Sequence, residues 1–247
     1  MSNVEIGSAR IDEYGNIANG KAGDQKQKAT PDYNGEVSRE KFYVHKLGWN
    51  VLRAKDNIVA NKLAIAMATA CDNPNIGYDQ NQRLNIITHG IFSTNSTECD
   101  CSSLVRACII DATGIDVGNF TTYNEASILV KSGMFDKIKY EKGMALMVGD
   151  ILVTQSKGHT AIVIEGYSRV TVSEGYSEVK YYDAYKGSTA DNLDKIFKAI
   201  GVDDKYIGNK DKREPIARIN GIVGYSGTYE QNVRLKILAR EGKLIRL

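Results

Sequence analysis

A chain of 247 residues with 42% hydrophobic and 25% charged residues can bury one sizeable core, with room for a small appendage. Its formal net charge of +2 is too small to indicate nucleic acid, and no apolar stretch reaches the ~20 residues needed to insert across a membrane. No basic-then-apolar leader opens the chain, so no signal peptide is expected, and Cys71, Cys99, Cys101 and Cys108 read as reduced thiols without a disulfide framework.

Residues 1–45 are polar and rich in Gly, Asn and Lys, which predicts an extended arm lying on the main domain; a disordered tail is the alternative. From Asp56, a natural N-cap, Val59, Leu63, Ala66, Met67 and Ala70 recur at helical spacing until Asp72-Asn73-Pro74-Asn75 stops the run. A loop from Ile76 to Thr97 leads to a second helix. That helix starts at Cys101, carries Leu104, Val105, Cys108 and Ala112 on one face, and ends at Gly114.

A third helix is predicted over about Asn124–Ser132. Strands follow at Gly149–Thr154, His159–Glu165, Val170–Glu174 and Val179–Tyr185, in one antiparallel sheet. Asp191–Ile200 reads as a short amphipathic helix, Asp203–Arg213 as a charged linker, and Tyr229 onward as a terminal helix. Helices first and strands later predict an α+β domain over 46–202, with helices packed on the sheet, followed by a small helical C-terminal segment, 203–247.

The chemistry concentrates in two short stretches, Asp100-Cys101-Ser102-Ser103-Leu104-Val105 and Gly158-His159-Thr160-Ala161-Ile162-Val163. A cysteine at a helix start is a usable nucleophile, because peptide dipoles and a nearby imidazolium both favour its thiolate. The polar flanks Asp100 and Ser102 suggest a solvent-facing helix start rather than a buried structural thiol. Cys99 precedes that start and Cys108 lies on the apolar face, so both read as spectators. Cys99-Asp100-Cys101 with His159 does not have zinc-site spacing, and no metal or cofactor is expected.

Of the three histidines, His45 and His89 fit satisfied core or loop positions. His159, directly after a glycine and opening a strand, is the candidate base. If its strand turns at Gly166-Tyr167 and returns, Glu174 falls opposite His159. A turn at Ser168-Arg169 selects Glu178 instead, and Asp183 is a third candidate for the orienting group.

These stretches, with Gly149-Asp150-Ile151-Leu152, resemble the NlpC-type and CHAP-type cell-wall hydrolases. More narrowly, the chain is similar to phage and prophage peptidoglycan amidohydrolases of Gram-positive hosts. That likeness extends through Ile6–Asp12, Gly20-Lys21-Ala22-Gly23-Asp24-Gln25, Gly48–Arg53 and Ile76-Gly77-Tyr78-Asp79-Gln80. The resemblance implies a papain-like α+β fold and a Cys–His–polar triad that cuts peptidoglycan amide bonds. It implies that Tyr78, Asp100 and Ser102 grip the amino end of the stem peptide. The usual glycine after that serine is Ser103 here, and a glutamate beyond the histidine strand, as in the CHAP type, matches Glu174. Such a lysin would be released through a holin pore or carried on a virion tail. Either an N-acetylmuramoyl-L-alanine amidase or a stem-peptide endopeptidase fits. A non-catalytic wall-binding or tail protein on the same fold is the alternative.

The tail from Tyr229 sets five cations (Arg234, Lys236, Arg240, Lys243, Arg246) against Glu230 and Glu241, with Val233, Ile237 and Leu244 as an apolar side. This suits either a docked amphipathic helix with a solvated basic face or attraction to anionic wall polymers.

Overall fold

The computed structural model describes residues 4–27, 29–167, 181–220, 222 and 225–246, in two compact units, Met1–Arg169 and Val170–Leu247. In chain order the first unit holds β1 (Glu5–Ala9), β2 (Val37–Lys41), β3 (Trp49–Ala54), α1 (Asn57–Cys71), β4 (Ile76–Tyr78), α2 (Asn85–His89) and β5 (Thr97–Cys99). It continues with α3 (Cys101–Thr113), α4 (Glu125–Lys131), β6 (Phe135–Lys139), β7 (Ile151–Thr154) and β8 (Thr160–Glu165). Six strands form an antiparallel sheet in the order β2-β1-β8-β7-β3-β6, while β4 and β5 make a separate parallel pair. The fold class is α+β.

Period-two alternation sorts the strand residues onto two faces. Leu52, Ile151, Val153, Ile162 and Ile164 join the core under α1 and α3, with Met67, Leu104 and Val105. Trp49, Val51, Leu152, Ala161 and Val163 form the opposite face with Ile6 and Leu146. Asp56 caps α1 by accepting from the amides of Ile58 (2.6 Å) and Val59 (3.3 Å), and Leu63, Ala66, Met67 and Ala70 are buried, as their spacing predicts. Gly149 has a positive φ of 79°, and a Cβ there would collide with the Ala60 carbonyl, so only glycine lets α1 lie this close to the entry of β7. Next to it, fully buried Asp150 takes a bidentate pair from Arg53, Nε at 2.9 Å and Nη2 at 2.7 Å, which ties β3 to β7.

Several expectations are corrected here. Residues 1–45 are no arm, because β1 lies inside the sheet between β2 and β8. β3 and β6, which the sequence reading left unassigned, complete the sheet. The stretch read as a loop, 76–97, contains β4, α2 and the start of β5. The strand Val170–Glu174 lies outside the described residues. Of Val179–Tyr185, the described part makes a single bridge, Tyr181 with Ile245.

The second unit contains α5 (Leu193–Ala199), a 3₁₀ turn at Asp204–Tyr206, α6 (Lys210–Ile219) and α7 (Tyr229–Arg240). The charged stretch read as a linker is thus partly helical. Leu193, Ile196, Phe197, Ile216, Leu235, Leu238 and Leu244 are buried there. Asn220 stitches the tail by accepting from the Ile245 amide (2.7 Å) and donating to the Ile216 and Ile245 carbonyls. The basic face of α7 is not wholly solvated: Arg234 is buried, and Arg240 donates to the Gly187 and Ser188 carbonyls. Among the described residues no helix is long and apolar enough to cross a membrane.

Candidate active site

Cys101 is the first residue of α3, and the turn before it is heavily cross-braced. Asp100 accepts from the Ser103 amide (2.7 Å), while Ser103 Oγ accepts from the Asp100 amide (2.9 Å), a reciprocal capping box. At this first position the Cys101 N–H has no acceptor within the helix, so it is available to a ligand. Of the four cysteines, all free thiols, Cys71, Cys99 and Cys108 are buried, and Cys101 is the half-buried one.

The flanks behave differently from expectation. Asp100 and Ser102 are buried rather than solvent-facing. Arg83, which no sequence signal singled out, makes this possible. Its Nε meets Asp100 Oδ2 at 2.6 Å, and Nη2 reaches Ser102 Oγ at 3.1 Å and the Phe120 carbonyl at 2.7 Å. Ser102 Oγ also donates to Asp100 Oδ1 (3.0 Å), so both Asp100 oxygens are engaged inside the protein. Tyr78, on β4, is buried as well, and its hydroxyl accepts from Gln80. Burial, with the negative charges of Cys101 and Asp100 nearby, pushes the Tyr78 phenol up to about 12. The three residues expected to grip substrate therefore pack around the start of α3.

His159 sits one residue before β8, held by backbone on both sides. Its amide donates to Thr154 Oγ1 (2.9 Å), and its carbonyl accepts from the Thr154 amide (3.0 Å). Gly158 donates to Thr122 Oγ1 (3.1 Å) and Thr160 Oγ1 donates to Glu125 Oε1 (2.7 Å), so the segment entering α4 pins the 158–160 corner. The main chain at Thr160 acts on the Cys101 thiol and lowers its pKa, so the sulfur faces the residue that follows His159. The imidazole lies against Trp49, ring centroids 6.3 Å apart, with His45 on the same indole at 5.3 Å.

Burial, then the adjacent Asp100 and Glu125 carboxylates, pushes the Cys101 thiol up to about 12, against the lowering by the Thr160 and Ser102 amides. Burial, with Arg10 and His45 close by, brings His159 down to about 4. The preformed thiolate–imidazolium pair expected from a helix start is thus replaced by a neutral thiol and a neutral imidazole at pH 7. Desolvation outweighs the helix dipole here, because the Cys101 sulfur and the His159 ring are both largely withdrawn from water.

Nε2 of His159 is buried and has no hydrogen-bond partner among the described residues. The register that put Glu174 beside it required an open edge on β8, but β1 and β7 occupy its two sides. Continuing the β1 register from Gly7↔Ile162 brings Arg10, not a glutamate, to His159. Glu174 and Glu178 lie outside the described residues, and Asp183 is exposed in the second unit.

Fully buried Glu125, also missed from sequence, has its carboxyl pushed up to about 8, first by burial and then by Asp100, against the Thr160 hydrogen bond. A carboxyl raised from 4.5 in the unfolded chain favours folding fully below about pH 4.5, and that contribution is lost as pH climbs through 8. Glu125→Gln keeps the acceptor for Thr160 but cannot ionise. The variant is expected to gain stability over the parent as pH rises from 5 to 8, by up to a few kcal/mol, and melting curves across that range measure it. A parallel pair of stability profiles would show that Glu125 does not titrate between those limits.

Beside the 154–157 turn opens a cleft of about 690 Å³, lined by Thr122, Tyr123, Lys131, Lys137, Gln155 and Lys157 among others. Tyr123 is exposed at its rim. Among the described residues no three His, Cys, Asp or Glu side chains are arranged to hold a metal ion.

A family model described as the endolysin-like domain matches residues 6–170, two thirds of the chain. No curated protein and no solved structure gives a match. The matched span contains the six-stranded sheet, save Glu5 at its start, together with Cys101 and His159. On that span, the chain belongs to the endolysin-like domain family.

Proposed function

We propose that this chain is a peptidoglycan hydrolase of papain-like, NlpC/CHAP type, which cleaves an amide bond of the stem peptide by thiol acyl transfer from Cys101 with His159 as base. Membership of the endolysin-like family supports the coarser statement, a phage lysin acting on the bacterial cell wall. The observation that carries the finer one is the half-buried thiol at the first turn of α3, facing the main chain at Thr160, the residue after His159.

A neutral imidazole is the form that accepts a proton. As Sγ attacks the amide carbonyl, its proton passes to His159, and the tetrahedral oxyanion is met by the Cys101 N–H at the helix start. The imidazolium then protonates the departing amine as the C–N bond breaks. Water, losing a proton to the same ring, hydrolyses the thioester and regenerates the thiol. The resemblance implies a polar group on Nε2 that orients the ring, and Glu174, which it matches to that role, lies outside the described residues. Tyr78, Asp100 and Ser102 act by holding the helix start, while Lys131, Lys137 and Lys157 in the neighbouring cleft suit the carboxylates of a Gram-positive stem peptide. The second unit, with Arg234 and Arg240 committed internally, offers anionic wall polymers mainly Lys236, Lys243 and Arg246.

The test is digestion of purified peptidoglycan followed by mass spectrometry of the released fragments. A new amino terminus on the first stem residue identifies an amidase, and one within the stem identifies an endopeptidase. New reducing sugar ends without new amines would refute thiol acyl transfer.

A further inference from the structure

Gly20-Lys21-Ala22-Gly23-Asp24-Gln25 has no part in the thiol chemistry, yet it leads into the most charge-loaded interior of the first unit. Between β1 and β2, Asp24 and Asp32 are both buried, Asp32 to 1% exposure. Each uses one oxygen to hold the chain. Asp24 Oδ1 accepts from the amides of Lys26 and Glu36, both at 3.1 Å, and Asp32 Oδ1 accepts from Asn34 (2.8 Å) and Gly35 (3.0 Å).

The second oxygens, Oδ2 of each, are buried, and among the described residues no N–H or O–H of another residue donates to them. They converge, since a Cβ placed on Gly35 would collide with both. Acceptor faces acceptor, so the two oxygens need a proton or a cation between them. Among the described residues neither aspartate has a Lys or Arg partner, because the nearby Arg39 is taken by Asp72 and Glu5. Buried Glu36 and Glu98 add further oxygens without a donor among the described residues in the same region.

We infer that Asp24 and Asp32 bind a hard divalent cation, Ca²⁺ by chemistry, between their converging Oδ2 atoms. Two buried carboxylate oxygens aimed at one point repel unless a positive charge lies between them. Oxygen-only ligation and an irregular loop suit Ca²⁺, which accepts a mixed shell at 2.3–2.6 Å. With only two carboxylates converging, main-chain carbonyls and water must complete the shell. The cation would fasten the 10–36 segment, which has few apolar anchors, to the sheet that carries the site.

The competing explanation is a proton shared between the two acids. Asp24→Asn separates them, because an amide keeps Oδ1 and offers Asp32 a donor in place of the shared proton while weakening the cation site. The full chain is melted in EDTA, in 1 mM CaCl₂, in 1 mM MgCl₂ and in NaCl of matched ionic strength. Expected is a Tm roughly 5–10 °C higher in CaCl₂ than in EDTA for the parent, with the shift lost in Asp24→Asn. Calorimetric titration of the parent with CaCl₂ should show one ion per chain, a readout that stands even if the variant does not fold. A parent Tm indifferent to CaCl₂ and EDTA, a shift reproduced by NaCl, or a shift retained in Asp24→Asn would each overturn the proposal. Stability of Asp24→Asn at or above the parent's, without any Ca²⁺ response, would assign the pair to a shared proton.

Discussion

Cys101→Ala is expected to lower release of soluble fragments from labelled peptidoglycan by about 10⁴-fold or more, while its stability stays within about 1 kcal/mol of the parent's. The asymmetry follows from position. The side chain is small and half-buried at the first turn of α3, and the Asp100–Ser103 capping box that supports the turn does not involve its sulfur. Cys101→Ser should be nearly as inactive, because a neutral imidazole brought down to about 4 is too weak a base to draw a proton from a hydroxyl.

Cys99→Ala and Cys108→Ala should reverse the pattern. Both thiols are fully buried, so each loses about 1–2 kcal/mol of stability and keeps most of its activity. Dye release, melting temperature and pelleting with intact walls, measured on all four variants, separate nucleophile from core residue. Lysis undiminished in Cys101→Ala would remove the thiol mechanism, and lost pelleting alone would point to wall binding as the chain's business.

Arg83→Ala is expected to destabilise the first unit by about 3–5 kcal/mol, a fall in Tm on the order of 10 °C. The guanidinium satisfies Asp100 Oδ2, Ser102 Oγ, the Phe120 carbonyl and Asn119 Oδ1 at once. Its removal strands a buried carboxylate at the N-cap of α3. Arg83→Lys should recover only part of the loss, since an ammonium cannot spread over four acceptors in one plane. Asp100→Asn in the Arg83→Ala background should restore stability relative to Arg83→Ala alone, with a coupling of about 1–3 kcal/mol in the double-mutant cycle. Denaturant unfolding of the four proteins measures it, and additive losses would show that the ion pair does not carry the helix start.

Local signals were enough for α1 and α3. Asp56 and Asp100 cap, apolar residues recur at helical spacing, and Gly114 ends the helix in the left-handed region at φ 73°. The cysteine and histidine were legible for the same reason, since a helix start and a strand start are written in a few neighbouring residues. The family span, residues 6–170, covers those motifs.

What the local pattern could not contain was everything decided by distant partners. The segment before residue 46 has almost no apolar period, so it reads as an arm. It is ordered instead by carboxylates that accept main-chain amides across long separations, as Glu98 does from Gly23 and Asp79 from Asn19. The neighbours of β8 are likewise chosen by the sheet as a whole, so hairpin arithmetic could not foresee β1 alongside it. Arg83 and Glu125 are silent in sequence because a charge acquires its role only when burial removes water and leaves one partner in reach. Residue order therefore determined the two candidate side chains, Cys101 and His159, and the helix that presents one of them. Only the folded chain decided their protonation, their neighbours and the acidic interior behind them, because desolvation is a property of the packed whole.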